Sequence, residues 1–208
     1  MIAIIDYGAG NLMSVKKAFD FIGAENIITA DPDIIEKADG VVLPGVGAFG
    51  DAMDCMRKSN LIETTKKAAL SGKPFLGICL GLHLLFEGSD EAPSVEGLKL
   101  FKGRIHKIPG NGLKVPHMGW NSIKIVKENP LFKGITDNSY VYFVHSYYLE
   151  AEDRTIVSST TDYSVNIHAS IAKDNVFAAQ FHPEKSGDVG IKMLRNFVSL
   201  CGGENNAR

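Results

Sequence analysis

The sequence predicts an α/β fold: one domain, residues 1–208, with a central mixed and mostly parallel sheet, helices on both of its faces, and a strand-rich C-terminal half. Three observations predict it. Strand-like and helix-like patterns alternate through the N-terminal part of the chain. The early strand-like runs are continuously apolar, as strands buried on both faces are. After Gly97, short segments separated by turn residues take over until one amphipathic segment near the C-terminus.

Met1 to Ile5 is an unbroken apolar run and reads as the first strand. Asp6-Tyr7-Gly8-Ala9-Gly10-Asn11 turns the chain into an amphipathic helix over Leu12 to Ile22. Glycines between a strand and a helix invite a dinucleotide reading, but the third glycine of that fingerprint is missing and the reading fails. Asn26 to Thr29 is a second strand, Asp31-Pro32 opens a helix to Ala38, and Gly40 to Leu43 is a third strand. The glycine-rich loop Pro44 to Gly50 follows, then helices over Asp51 to Lys58 and Leu61 to Leu70. Phe75 to Ile78 suits a buried central strand, and Leu82 to Phe86 continues as a helix with one apolar face. Gly88 to Gly97 is polar and loop-like. Strands are expected over Phe101–Ile108, Asn121–Val126, Val141–Leu149, Thr155–Ser159, Asn166–Lys173 and Asn175–Phe181, with Asn111-Gly112 as a turn. Asp188 to Leu200 is a final helix with Asp188 as N-cap, and Gly202 to Arg208 reads as a frayed tail.

Composition narrows the function. Hydrophobic content of 45% and charged content of 22% are ordinary for a soluble globular protein, and a net charge of −2 leaves no basic footprint for nucleic acid. Cys55, Cys79 and Cys201 lie far apart and the histidines are scattered, so neither a disulfide framework nor a metal site is expected. No signal peptide or membrane-length apolar run is present, and a reducing cytoplasm is the expected location.

The chemistry concentrates at Gly77-Ile78-Cys79-Leu80-Gly81. A strand that turns sharply into a helix, with glycines two residues either side of a thiol, has the pattern of a nucleophile elbow. Unpaired amides at the helix start favour a thiolate there. A free cysteine is more often a small buried hydrophobe, but glycines otherwise useless to strand or helix favour the nucleophile. A base is available at His182, just past a strand end, and Glu184, two residues on along an extended segment, would orient its imidazole. The loop amides of Pro44–Gly50, with that of Leu80, are placed to receive an oxyanion. Trp120, within Pro116–Asn121, suits an interface anchor, although a tryptophan is more often core, and His145-Ser146-Tyr147 offers polar side chains either for an amino acid's charged ends or to satisfy a strand edge. Glu91 suits an α-ammonium or is simply a solvated carboxylate. His106 and His168 show no partner pattern.

GICLG together with FHPEKS resembles the class I glutamine amidotransferases. The likeness runs nearly the length of the chain, through IIDYGAGN (4–11), LPGVGAFG (43–50), GICLGLHLLFEGSDE (77–91), PHMGWN (116–121), YFVHSYY (142–148) and QFHPEKSG (180–187). Within the class, PGVGAF, PHMGWN and FVHSYY resemble the glutaminase subunits of imidazole glycerol phosphate synthases. The resemblance implies a flavodoxin-like fold with no cofactor. It makes Cys79 the nucleophile, His182 the acid–base and Glu184 its orienting carboxylate. Val46, Gly47 and Leu80 would line the oxyanion hole, and Glu91, Ser146 and Tyr147 would hold glutamine. Asn11, Trp120, Asn121 and Lys185 would meet a cyclase subunit, a separate (β/α)₈ barrel that consumes the ammonia, and activity would stay low until it docks. There is one departure. The family usually has glutamine at the position of His83, where the side chain helps hold substrate, so His83 is kept as a substrate contact by analogy. The rival readings are a glutaminase serving another synthase and a non-catalytic binding subunit.

Overall fold

The computed structural model describes residues 1–202. The first half lays down parallel strands joined by helices: β1 (Ile2–Ile5), α1 (Leu12–Phe21), β2 (Asn26–Thr29), α2 (Pro32–Lys37), β3 (Gly40–Gly45), α3 (Phe49–Lys58), α4 (Ile62–Leu70), β4 (Phe75–Cys79) and α5 (Leu80–Leu84). The remainder is β5 (Gly88–Ser89), β6 (Ala92–Glu96), β7 (Gly103–Lys107), β8 (His117–Ser122), β9 (Lys124–Ile125), β10 (Tyr140–His145), β11 (Tyr147–Ala151), β12 (Val157–Tyr163), β13 (Val165–Lys173), β14 (Val176–Ala179) and α6 (Gly187–Leu200).

Eight strands form the main sheet in the order β2-β1-β3-β4-β14-β13-β12-β9. The five from β2 to β14 run parallel, and β13, β12 and β9 extend the sheet antiparallel. Strand alternation splits the core in two. Ala3, Ile5, Val41 and Leu43 face one side with Met53, Met56 and Leu82, under α2 to α5. Ile2, Ile4, Val42 and Leu76 face the other with Phe19, Leu194 and Phe197, under α1 and α6. Because β1 sends the chain one way to β2 and then the other way to β3, a crevice opens outside the carboxyl ends of the central strands.

Several boundaries differ from expectation, each for a local reason. Gly88 to Gly97 is not a loop: β5 and β6 join β7 and β11 in a second sheet, ordered β11-β7-β5-β6. Val141 to Leu149 is two strands in different sheets, β10 pairing β8 and β11 pairing β7. The break falls at Ser146, where His145 Nδ1 donates to the Tyr147 carbonyl oxygen at 2.9 Å. Likewise Asn121–Val126 is split between β8 and β9. Asp188 is not the N-cap of α6, which begins one residue earlier. Ser186 precedes the helix, but its hydroxyl is turned away from it, donating to the His182 carbonyl and accepting from the Tyr142 amide, and makes no cap bond. α2 starts at Pro32 as expected, and Asp31 caps it, accepting from the Asp33 amide at 2.9 Å. The tail expected at Gly202–Arg208 lies, past Gly202, outside the described residues. Among the described residues no helix is long and apolar enough to cross a membrane.

Candidate active site

Cys79 ends β4 at the middle of the crevice, with φ 54° and ψ −107°. A non-glycine residue held there stores on the order of 1–3 kcal/mol and persists only where its surroundings over-determine it. They do so by close approach. A Cβ on Gly81 would stand 1.9 Å from the Leu43 carbonyl oxygen, and one on Gly45, the residue paired with Cys79 across β3 and β4, would stand 2.5 Å from the Tyr7 hydroxyl. Tyr7 in turn donates to the Pro44 carbonyl at 3.0 Å. The helix that follows the thiol begins two residues earlier than the expected Leu82–Phe86 and is only five residues long, so a macrodipole contributes little. What remains of that expectation is the set of free amides in its first turn.

β14 lies parallel to β4, so the chain leaving its carboxyl end reaches the same crevice. His182 is extended and Pro183 then opens a 3₁₀ turn that carries Glu184. The carboxylate is therefore brought beneath the ring by a turn and not along an extended segment. His182 Nδ1 lies 2.8 Å from Glu184 Oε1, both side chains are 2% exposed, and the tautomer that donates to the carboxylate leaves Nε2 toward the thiol's side of the ring. Nε2 is buried and makes no hydrogen bond among the described residues. Burial alone would pull this imidazole down. The sulfur of Cys79, and after it the Glu184 carboxylate, more than offset that and hold it up at about 9.

Both groups line one cavity of about 420 Å³. Val46 and Gly47 enter it from the loop after β3, Leu80 from the start of α5, Glu91 from the turn between β5 and β6, and Ser146 and Tyr147 from the β10–β11 break. One oxygen of Glu91 is already engaged, accepting from the Phe49 amide at the start of α3 at 2.8 Å. His83 also lines the cavity, but its Nε2 is committed to Gln180 Oε1 at 2.7 Å. Of the residues expected at a partner surface, Asn11 and Lys185 are exposed and Trp120 is 55% exposed, whereas Asn121 is half-buried and its amide donates to the Asp162 carbonyl.

Sequence reasoning missed a buried histidine chain beside the pocket. His145 faces His117 across β10 and β8, and His117 Nδ1 lies 2.9 Å from His145 Nε2. With His145 Nδ1 donating to Tyr147, His145 Nε2 must accept, so His117 donates and its Nε2 accepts from Asn121 Nδ2 at 3.4 Å. Burial holds His145 down at about 3 and His117 and His83 at about 4, all neutral near pH 7. Only His182 has a carboxylate against its ring among these four. Both His117 and His145 stood in quoted motifs, but their pairing depends on strand register. His106 and His168 also find partners, His106 with Asp90 at 2.9 Å and His168 with the Ala151 amide at 3.0 Å. Among the described residues no cluster could hold a metal.

A thiol strained onto a strand–helix elbow, facing an imidazole–carboxylate pair at the carboxyl edge of a parallel sheet, is what acyl transfer by sulfur requires. The family profile described as glutamine amidotransferase class-I matches residues 3–201, and the chain belongs to that family. Solved structures share the fold at low identity. PurLQS from Thermotoga maritima superimposes with a TM-score of 0.73 at 18% identity, over 95% of this chain and 97% of that one. The Trypanosoma brucei CTPS glutaminase domain with bound acivicin gives 0.72 at 15%, over 100% and 96%. At the level of particular proteins, the chain is 51% identical over 200 residues to imidazole glycerol phosphate synthase subunit HisH of Caldanaerobacter subterraneus, covering 96% of this chain and 98% of that one. It is 54% identical over 200 residues to the subunit of the same name from Methanothermobacter thermautotrophicus, with the same coverage.

Proposed function

We propose that this chain is the glutaminase subunit of an imidazole glycerol phosphate synthase, releasing ammonia from glutamine for a cyclase partner. The Cys79 sulfur attacks the side-chain amide carbon of glutamine, and amides from the Val46–Gly47 loop and Leu80 receive the oxyanion. His182, protonated at neutral pH because its pKa is held at about 9, gives its proton to the nitrogen as the C–N bond breaks, and ammonia leaves. The γ-glutamyl thioester is then hydrolysed by a water that surrenders a proton to His182, which restores the thiolate–imidazolium pair and releases glutamate. Glu91, Ser146 and Tyr147 surround the amino-acid end of the substrate. The observation that carries the reading is that Cys79 and His182 line one cavity, with the buried Glu184 carboxylate on the imidazole's Nδ1.

Ammonia made without a consumer wastes glutamine, and the relatives' names are those of a synthase subunit. The partner is therefore taken to be a cyclase that joins the ammonia to a ribulosyl carboxamide nucleotide, giving imidazole glycerol phosphate and an aminoimidazole carboxamide ribotide in histidine biosynthesis. The exposed face of the β8–β10 ribbon, with Trp120, Tyr142 and Lys185 beside the site, is its docking surface, joined by Asn11. Glutamine hydrolysis measured with and without the cyclase tests both parts. A large rise on adding the cyclase, abolished by Cys79→Ala while ammonia-dependent synthesis persists, is the expected result. Hydrolysis undiminished in Cys79→Ala would remove the mechanism, and failure to bind the cyclase would reassign the chain to another synthase.

A further inference from the structure

The register of β4 and β14 ends with Ile78 beside Ala179, so the next residues along, Cys79 and Gln180, are neighbours at the carboxyl edge. Gln180 is fully buried. Its Nε2 is directed at Cys79 Sγ, 3.8 Å away, and its Oε1 lies 2.7 Å from His83 Nε2. His83 stands four residues after Cys79, on the same side of the first turn of α5, so its ring reaches back over the elbow. A carboxamide has two ends of nearly equal size, and only its partners decide which faces a neighbour. Here an imidazole N–H takes the oxygen, which leaves the NH₂ for the sulfur.

We propose that His83 is a positioning residue: by donating to Gln180 it keeps an amide donor, and not a carbonyl oxygen, turned to the Cys79 sulfur. This rests on Cys79 being the nucleophile and departs from the substrate contact that analogy suggested for His83. The orientation matters because an N–H aimed at sulfur favours the thiolate over the thiol, whereas an oxygen in its place repels it. A charged His83 would still donate, but burial holds it neutral, with pKa about 4, so its one proton sits on the nitrogen facing Gln180 and Nδ1 is left an acceptor.

The test is the rate at which iodoacetamide alkylates Cys79 in the isolated chain at a pH on the rising limb of its rate profile, where the thiolate population sets the rate, read by peptide mass so that Cys55 and Cys201 do not contribute. Gln180→Met, which keeps length and removes the donor, and His83→Phe, which frees the amide to turn, should each slow alkylation there by about three- to fourfold: one hydrogen bond to a charged group is worth about tenfold in thiolate, partly offset by the greater nucleophilicity of the less stabilised sulfur. His83→Gln, whose own amide can donate to Gln180, should restore it. Wild-type rates in both His83→Phe and Gln180→Met would overturn the proposal, as would His83→Gln as slow as His83→Phe, since packing alone would then explain the loss. If His83→Phe fails to fold, Gln180→Met decides the matter from the other side of the contact. Glutamine hydrolysis by the complex is read separately: the expected alkylation pattern without hydrolysis supports the positioning and removes only the proposed function.

Discussion

Gly81 has no room for a side chain: its missing Cβ would lie 1.9 Å from the carbonyl oxygen of Leu43. That approach seats the start of α5 against β3 and so fixes the angle at which Cys79 leaves β4. Gly81→Ala is expected to cost more than about 3 kcal/mol, because backbone and not a flexible side chain must move. Gly47→Ala is the contrast. Nothing stands within 4 Å of its Cβ, and its φ of 99° is the only penalty, roughly 1–3 kcal/mol. Thermal denaturation of the two variants side by side checks the order, and a Gly81→Ala chain as stable as wild type would mean that the elbow is not held in this way.

Glu184→Gln should leave the fold intact and nearly silence the glutaminase. The carboxamide oxygen can still accept from His182 Nδ1, but the charge that helps hold the imidazole near 9 is gone while burial still presses it down. The expected loss in glutamine turnover is about 10²- to 10⁴-fold, the range for an orienting carboxylate behind a general acid–base. Ammonia-dependent synthesis by the complex should be unchanged. Equal losses in the two assays would indicate damage to the assembly in place of the chemistry.

Stability should fall on acidification through a window that the neutral histidines define. His83, His117 and His145 are held near 4, 4 and 3, below the roughly 6.5 of an unfolded chain. The unfolded state therefore binds protons first as pH falls. The stabilisation is complete above about 6.5 and is lost between there and the folded values. His182 has the opposite sign: raised to about 9, it adds stability that is complete below about 6.5 and lost as pH climbs through 9. His145→Gln removes one of the acid-sensitive groups, so the fall in melting temperature between pH 6.5 and 4.5 should be shallower than in wild type. Parallel curves would contradict the assignment of His145 as buried and neutral.

How much of this could be read from residues alone depended on whether a pattern was local. The strands β1, β3, β4 and β14 are apolar throughout and stood out, as did the glycines about Cys79 and the His-Pro-Glu step. Strand partnership was not legible. Val141 to Leu149 contains no glycine or proline, so nothing in it announces that the chain changes sheet at Ser146. The same blindness hid His117 beside His145, 28 residues away, and Gln180 beside Cys79, 101 residues away. Short polar strands such as β5 and β6 were missed because their stability comes from pairing, β5 with β7 and β6 with β5, and not from their own composition. His83 was assigned by analogy to the substrate, and only the register of β4 and β14 shows that its Nε2 meets Gln180.

The β8–β10 ribbon sets out a surface that the rest of the fold does not cover. Pairing places Trp120 opposite Tyr142 and Met118 opposite Val144, so one face carries these side chains together with Tyr140, while the other buries Val141 and Phe143. Met118, Trp120 and Tyr140 are 62%, 55% and 62% exposed. Trp120 and Tyr142 pack edge to face at 6.2 Å between centroids, and Lys185 Nζ lies over the Tyr142 ring, 5.9 Å from its centroid. An exposed indole held in place by a neighbouring ring loses little freedom on docking, which is what an interface anchor needs. Trp120→Ala should therefore weaken cyclase binding by about 30-fold or more, the roughly 2 kcal/mol of a strong anchor, while the melting temperature of the isolated chain barely moves. Calorimetric titration of the variant with the cyclase measures the first and thermal denaturation the second. Because Trp120 does not line the cavity, glutaminase activity should return once the cyclase is added to saturation; an affinity equal to wild type would place the docking surface elsewhere.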